Sequence, residues 1–180
     1  MKIAVIGPGA LGCLFAAYLT RQTDDAAGRN IGNIVWLLDH DKNRALEISG
    51  QGILVERQNR IARYPISTTN DPDTIGFVDA IVLCVKSYDV AESISGIGAL
   101  FDTETLLLTL QNGISHLSTL QSLTNLGSVA LGVTAQGATL LAPGHIRHAG
   151  KGLTRVGLIK GQTPKTEAQL QELVNIFSAC

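Results

Sequence analysis

Lys2–Leu19 reads KIAVIGPGALGCLFAAYL, three glycines set between two apolar runs. Its first part, Lys2–Ile6, is a short β-branched run, and Ala10–Leu19 is apolar and rich in helix formers, so Gly7, Gly9 and Gly12 lie at a strand-to-helix junction. They fill the three glycine positions of GxGxxG in the context that pattern requires, with further strand and helix segments following. The first glycine permits a tight turn, the second lets a pyrophosphate approach the backbone, and the third lets helix and strand pack closely. The helix N-terminus supplies N–H donors and a partial positive charge. Pro8 has no N–H, which leaves donation to later positions of the loop. The candidate cofactor-binding loop is therefore Gly7, Pro8, Gly9, Ala10, Leu11 and Gly12. This setting favours a dinucleotide cradle over a merely structural turn.

Working outward, strands alternate with helix-length segments. A polar loop, TDDAAGRNIGN, leads to a second strand, IVWLL, that ends at Asp39, and DKNRALEISG reads as a helix stopped by glycine. The short runs ILVE and RIARYPI are expected to form a hairpin padding the sheet edge. DAIVLCV (Asp79–Val85) is an uninterrupted apolar run of the kind buried on both faces of a parallel sheet. VAESISGIGAL follows as a helix, TLLLTL as a strand, ISHLSTLQSL as a helix and SVALGVT as a strand. That order predicts a Rossmann-like, doubly wound α/β fold with a mostly parallel sheet. Beyond Gly137, ATLLAPGHIRHAGKGLTRVGLI has no room for crossover helices, so antiparallel strands are expected to finish the sheet. The last segment opens with Thr163 as cap and Pro164 at the first helical position, and Leu170, Leu173, Val174 and Phe177 form an apolar stripe. Residues 1–180 are read as one dinucleotide-binding domain.

Composition removes several function classes. With a net charge of −1 and no block of like charge, nothing invites nucleic acid or an anionic membrane surface. Aromatic residues at 4% are too few for base-stacking platforms. No apolar run reaches the roughly 18–20 residues of a membrane span. Cys13, Cys84 and Cys180 lie far apart and outside any CxxC spacing, so neither a disulfide framework nor a zinc site is expected. A cytoplasmic protein is the expectation, with Cys13 and Cys84 as buried small hydrophobes. Self-association into a homo-oligomer stays open.

Three further stretches carry candidate chemistry. Asp39, at the end of the second strand, is placed to accept from an adenosine 2′-hydroxyl, which favours NAD; it also reads as a helix cap. His40, Lys42 and Arg44 follow it and offer cations for a phosphate. Lys86, just after a buried strand in VKSYD, reads either as a contact to cofactor or acidic substrate or as a solvated loop lysine. Asn112, in QNG, reads as a turn residue or as an amide pointing into the ligand crevice.

GPGALG, VKSYD, LQNG, GVTAQGA (Gly132–Ala138) and GHIRHAGKG (Gly144–Gly152), in this order and at these separations, resemble the N-terminal domain of the ketopantoate reductases. The resemblance spans essentially the whole chain. It implies an enzyme of pantothenate and coenzyme A synthesis that reduces 2-dehydropantoate to pantoate with NADPH. It also implies that Gly7–Gly12 binds the pyrophosphate, that Lys86 contacts the cofactor, that Asn112 lies by the nicotinamide and the keto acid, and that Ala138 touches the cofactor. His148 is assigned a structural role. Family members often carry an arginine near the end of the second strand for the 2′-phosphate, where this chain has Asp39 and His40. NADP is thus inherited from the resemblance, and NAD stays open because of Asp39.

Family members also have a second, helical domain that supplies the lysine proton donor, and it is expected to be absent from this chain. Hydride transfer to a ketone develops charge on oxygen and needs a positioned acid. No catalytic acid and base pair is found here, so the chain is expected to be inactive alone. Two alternatives remain open, a free-standing NAD(P)-binding regulatory module and a related dehydrogenase for another 2-keto acid.

Overall fold

The computed structural model describes residues 1–20, 23–24, 30–111, 120, 127–160 and 163–178. Its main sheet has seven strands: β1 (Lys2–Ile6), β4 (Ile34–Leu38), β7 (Ser67–Thr69), β8 (Ala80–Leu83), β9 (Leu106–Thr109), β10 (Ser128–Thr134) and β13 (Thr154–Lys160). They lie in the order β13-β10-β9-β8-β1-β4-β7, while β2 (Thr23–Asp24) and β3 (Asn30–Ile31) pair antiparallel by themselves. All neighbours in the main sheet are parallel except β13, which closes one edge antiparallel to β10. From β1 the chain builds outward to β4 and β7, then returns to β1's other side for β8, β9 and β10. The order therefore reverses between β1 and β8, where open parallel sheets hold ligands at their carboxyl ends.

A second sheet explains the first helix. The strands β5 (Ile53–Arg57), β6 (Arg60–Tyr64), β11 (Gly137–Ala142) and β12 (His145–Gly150) form a four-stranded sheet in the order β11-β12-β5-β6. Helix α1 (Ala10–Leu19) lies between this sheet and the main one, and every residue from Gly12 to Leu19 is buried. A helix covered on all sides needs no polar face, which accounts for ten consecutive residues without a charge. Ile53, Val55 and Ile146 of the second sheet share one core with Leu14, Phe15 and Tyr18 of α1. Two expectations are corrected here. The hairpin does not pad the edge of the main sheet, and of the strands beyond Gly137 only β13 finishes it. The reason is the parallel pairing of β5 with β12, in which Val55 meets Ile146, a long-range match that local pattern does not report.

Helix α2 (Lys42–Gln51) follows β4, and a short helix, α3 (Pro72–Ile75), follows β7, an edge strand the sequence reading did not separate. The segment after β8 is a helix only over α4 (Val90–Ser95); Gly96 ends it and Gly98–Leu100 is a separate 3-10 turn. The predicted helix ISHLSTLQSL lies outside the described residues apart from Leu120, which is buried in the second core. Helix α5 (Pro164–Ser178) is capped as expected, the Thr166 N–H donating to Thr163 Oγ1 at 3.2 Å. Its buried face runs through Thr166, Gln169, Leu173 and Phe177, with Leu170 at its margin. The Phe177 ring packs on Phe15 of α1 at 4.6 Å between centroids, and Leu173 and Phe177 share one core with Leu106, Leu108 and Ala130 of the main sheet, which this stripe therefore helps to cover. Among the described residues no helix is long and apolar enough to cross a membrane.

Candidate functional site

At the reversal point the carboxyl ends of β4, β1 and β8 are held level. The Gly7 N–H donates to Leu38 O at 3.1 Å, and the Cys84 N–H donates to Ile6 O at 2.9 Å. Above them opens a cleft of about 860 Å³. Its floor includes Gly7, Pro8 and Gly9; one end carries Asp39, His40 and Arg44, and the other Val85, Lys86 and Tyr88. Volume and position suit a dinucleotide laid across the switch point.

The glycines act through geometry that side chains would spoil. Gly7 turns with φ +97°, and a Cβ there would also meet Val85 Cγ1 at 2.8 Å. A Cβ on Gly12 would sit 1.9 Å from Gly7 O, so the third glycine sets how closely α1 approaches β1. Gly9 differs, since its Cβ position meets no atom of the described residues within 4 Å. It is the N-cap of α1, in extended backbone, and among the described residues no side chain caps the helix there. The first-turn N–H groups of α1 are thus without intrahelical acceptors and face no Cβ at Gly9. That is the arrangement a pyrophosphate requires. Ala10 and Leu11 open the helix, the Leu11 side chain packing on the core.

The other end of the cleft is built from charge. Asp39 is buried, its side chain having no exposed surface, and both carboxylate oxygens are taken. Oδ2 accepts from Arg44 Nε at 2.5 Å, and Oδ1 accepts from Arg44 Nη2 at 2.6 Å and from the Asp41 N–H at 3.0 Å. The bond to Asp39, with the carboxylate's charge, raises the Arg44 pKa above its ordinary value. Asp39 is not the cap of α2; Asp41 is, its Oδ1 accepting from the Arg44 N–H at 3.0 Å. His40 is 90% exposed and stands 3.7 Å from Asp39.

Lys86 is exposed at the opposite end, its Nζ 5.7 Å from the centroid of the Tyr88 ring. A hydrogen bond to the Tyr88 phenol raises its pKa, so it stays a cation at neutral pH. Gln111 donates from Nε2 to Leu83 O at 3.1 Å and to Val85 O at 3.0 Å, pinning the loop that carries Lys86. Sequence reading singled out the neighbouring Asn112 and passed over Gln111; Asn112 lies outside the described residues. Ala138 packs at the margin of the α1 core, whereas Leu140 of the same strand lines the cleft. In the sequence Arg44 is only one of three cations after Asp39, and the spacing that makes it special, five residues on and one turn into a helix, carries no motif.

The remaining candidates are structural. His148 Nε2 donates to Gln136 Oε1 at 2.9 Å and to Gly150 O at 3.1 Å; because a carbonyl only accepts, Nε2 carries the proton and Nδ1 accepts from Tyr18 at 2.7 Å. This ties α1 to the second sheet. Cys13 is buried as expected, and burial pushes its thiol up to about 12; Cys84 is not fully buried but stands half-buried at the cleft, where desolvation also raises its thiol to about 12, so both stay protonated at neutral pH. Among the described residues no cluster of His, Cys, Asp or Glu is arranged to hold a metal ion.

Comparison with known proteins agrees with this reading. The chain is 34% identical over 181 residues to 2-dehydropantoate 2-reductase of Halobacterium salinarum, which covers 99% of this chain and 55% of that protein. A ketopantoate reductase structure from Ralstonia eutropha JMP134 superposes with a TM-score of 0.79 at 29% identity, covering 98% of this chain and 54% of that one. D-mandelate dehydrogenase, solved with NADH and anilino(oxo)acetate, shares the fold at a TM-score of 0.79 and 23% identity, over 99% of this chain and 55% of that one. The chain thus spans about half the length of the relatives it matches. The sequence profile described as ketopantoate reductase PanE/ApbA matches residues 3–161, and with the glycine loop, the switch-point cleft and the ordered motifs in place, the chain belongs to that family.

Proposed function

We propose that this chain is the cofactor-binding half of an enzyme that reduces 2-dehydropantoate to pantoate with NADPH. The observation that carries the reading is the open N-terminus of α1 above Gly9, at the point where the strand order reverses. NADPH, when bound, supplies a hydride to the keto carbon. The chain's own residues then have distinct tasks. First-turn N–H groups of α1 hold the pyrophosphate. Arg44 and His40 face the adenosine ribose. Lys86 offers a persistent cation to an anionic group of cofactor or keto acid, and Asn112 orients the nicotinamide end.

Reduction leaves charge on the former keto oxygen, and an acid must meet it. We assign that acid to the half of the enzyme that this chain does not span, because Lys86 is solvent-exposed and its ammonium is turned toward the Tyr88 phenol. The chain by itself is therefore a binding unit, acting in the cytoplasm as part of the larger enzyme. Titration with NADPH, followed by nicotinamide fluorescence, is expected to saturate, while 2-dehydropantoate consumption stays at background. Failure to bind either NADPH or NADH overturns the cofactor assignment; turnover by the isolated chain overturns the division of labour.

A further inference from the structure

We propose that Asp39 is not a ribose acceptor but a buried counterion that aims Arg44 into the cleft, and that Arg44 reads the 2′-phosphate of NADP(H). The inference rests on the cleft being a nicotinamide dinucleotide site and says what decides its choice between the two forms.

An acid at the end of the second strand ordinarily points to NAD, because its free oxygens accept from the ribose hydroxyls. Here those oxygens are not free. The Asp39 side chain has no exposed surface, and its two oxygens accept three hydrogen bonds, two from Arg44 and one from the Asp41 backbone. The pairing is side-on, through Nε and Nη2. A guanidinium has five N–H groups, so this grip on two leaves three, among them both protons of Nη1. Arg44 keeps 34% of its side chain exposed and lines the same cleft as Gly7, Gly9 and His40. A planar fork with its far edge free is the geometry that holds a phosphate by two bonds at once.

Charge points the same way. A lone Asp39 carboxylate would repel a 2′-phosphate, but the pair is neutral overall, and His40 beside it adds a donor. The acids that also line the cleft, Asp89 and Glu92, belong to the segment after β8, on the far side of β1 from Arg44. Asp41 faces the Arg44 backbone, which its carboxylate caps. Stability alone does not account for the pair. A buried ion pair is commonly no better than apolar packing of the same volume, so its presence at the ribose end calls for a use. Fold likeness does not make the choice either, since D-mandelate dehydrogenase carries NADH on the same framework.

The experiment compares the full chain with Asp39→Asn and with the double variant Asp39→Asn/Arg44→Gln, which strands no buried charge. Each is titrated calorimetrically with 2′,5′-ADP and with 5′-ADP, probes that lack nicotinamide, and then with NADPH and NADH. Far-UV circular dichroism confirms folding. The wild-type chain is expected to bind the 2′-phosphorylated member of each pair more tightly by about tenfold or more. In the double variant that preference collapses to within about twofold, through loss of 2′,5′-ADP and NADPH affinity alone. Asp39→Asn lowers NADPH affinity by a smaller factor and leaves NADH unchanged. Loss of NADH affinity in Asp39→Asn would make Asp39 the ribose ligand and overturn the inference, as would an undiminished 2′-phosphate preference in the double variant. Binding of no nucleotide by the wild-type chain overturns the cofactor assignment as well, and is distinguishable from both.

Discussion

At Gly7–Gly12 the cleft is made of backbone and governed by where Cβ atoms have no room, whereas at Asp39–Arg44 it is made of side chains and governed by which charges must pair. The first region tolerates no added atom at Gly12 yet leaves open space at Gly9. The second tolerates no missing partner, because Asp39 is buried. Damage should therefore take different forms at the two ends: steric at the phosphate end, electrostatic at the ribose end.

Gly12→Ala tests the steric end most severely. With 1.9 Å to Gly7 O the helix must move off β1, and we expect a loss of about 3 kcal/mol together with loss of nucleotide binding, read from urea denaturation and NADPH titration. A fully stable Gly12→Ala chain would show that this packing is not what fixes the loop. Arg44→Ala probes the electrostatic end. It leaves a buried carboxylate, and the expected cost is about 2 kcal/mol, below that of a fully buried pair because a third of Arg44 is in water. Replacing both members should restore most of this, and an unchanged cost in the double variant would break the charge-pairing account.

Gly9→Ala separates binding from folding. Open space at Gly9 predicts a stability change within about 0.5 kcal/mol, while the new methyl stands where the pyrophosphate approaches and lowers NADPH affinity by about tenfold or more. Unaltered affinity would remove Gly9 from the cradle. The smallest effect is expected for Asp41→Ala, which removes the cap of α2 and loosens the backbone that carries Arg44. Hydrogen bonding from the Arg44 N–H lowers the Asp41 pKa from 3.8, so its contribution is complete above pH 3.8 and fades as pH falls through the lower folded value. Thermal melts of wild type and variant should differ at neutral pH and converge in acid; a constant gap would point to a role other than the charged cap.

Much of this was legible in local pattern. The glycine spacing, the apolar strand runs and the Thr163–Pro164 start of α5 each depend on backbone preferences that extend over a few residues. Lys86 and the Gly7–Gly9 turn could be placed in the cleft because they immediately follow strands of the parallel sheet. Leu140 was not visible in that way. It reaches the cleft only because the second sheet folds over α1, and the pairing that builds this sheet joins residues as far apart as Glu56 and Arg147.

That a strand, a glycine turn and a helix open a doubly wound sheet can be read from the residues alone, since it follows from short-range sterics and hydrophobic period. What Asp39 does depends instead on the folded chain. A carboxylate after a strand has the same residue pattern whether it meets ribose or arginine, and the direction in which α2 leaves β4 brings Arg44 to it and buries the pair.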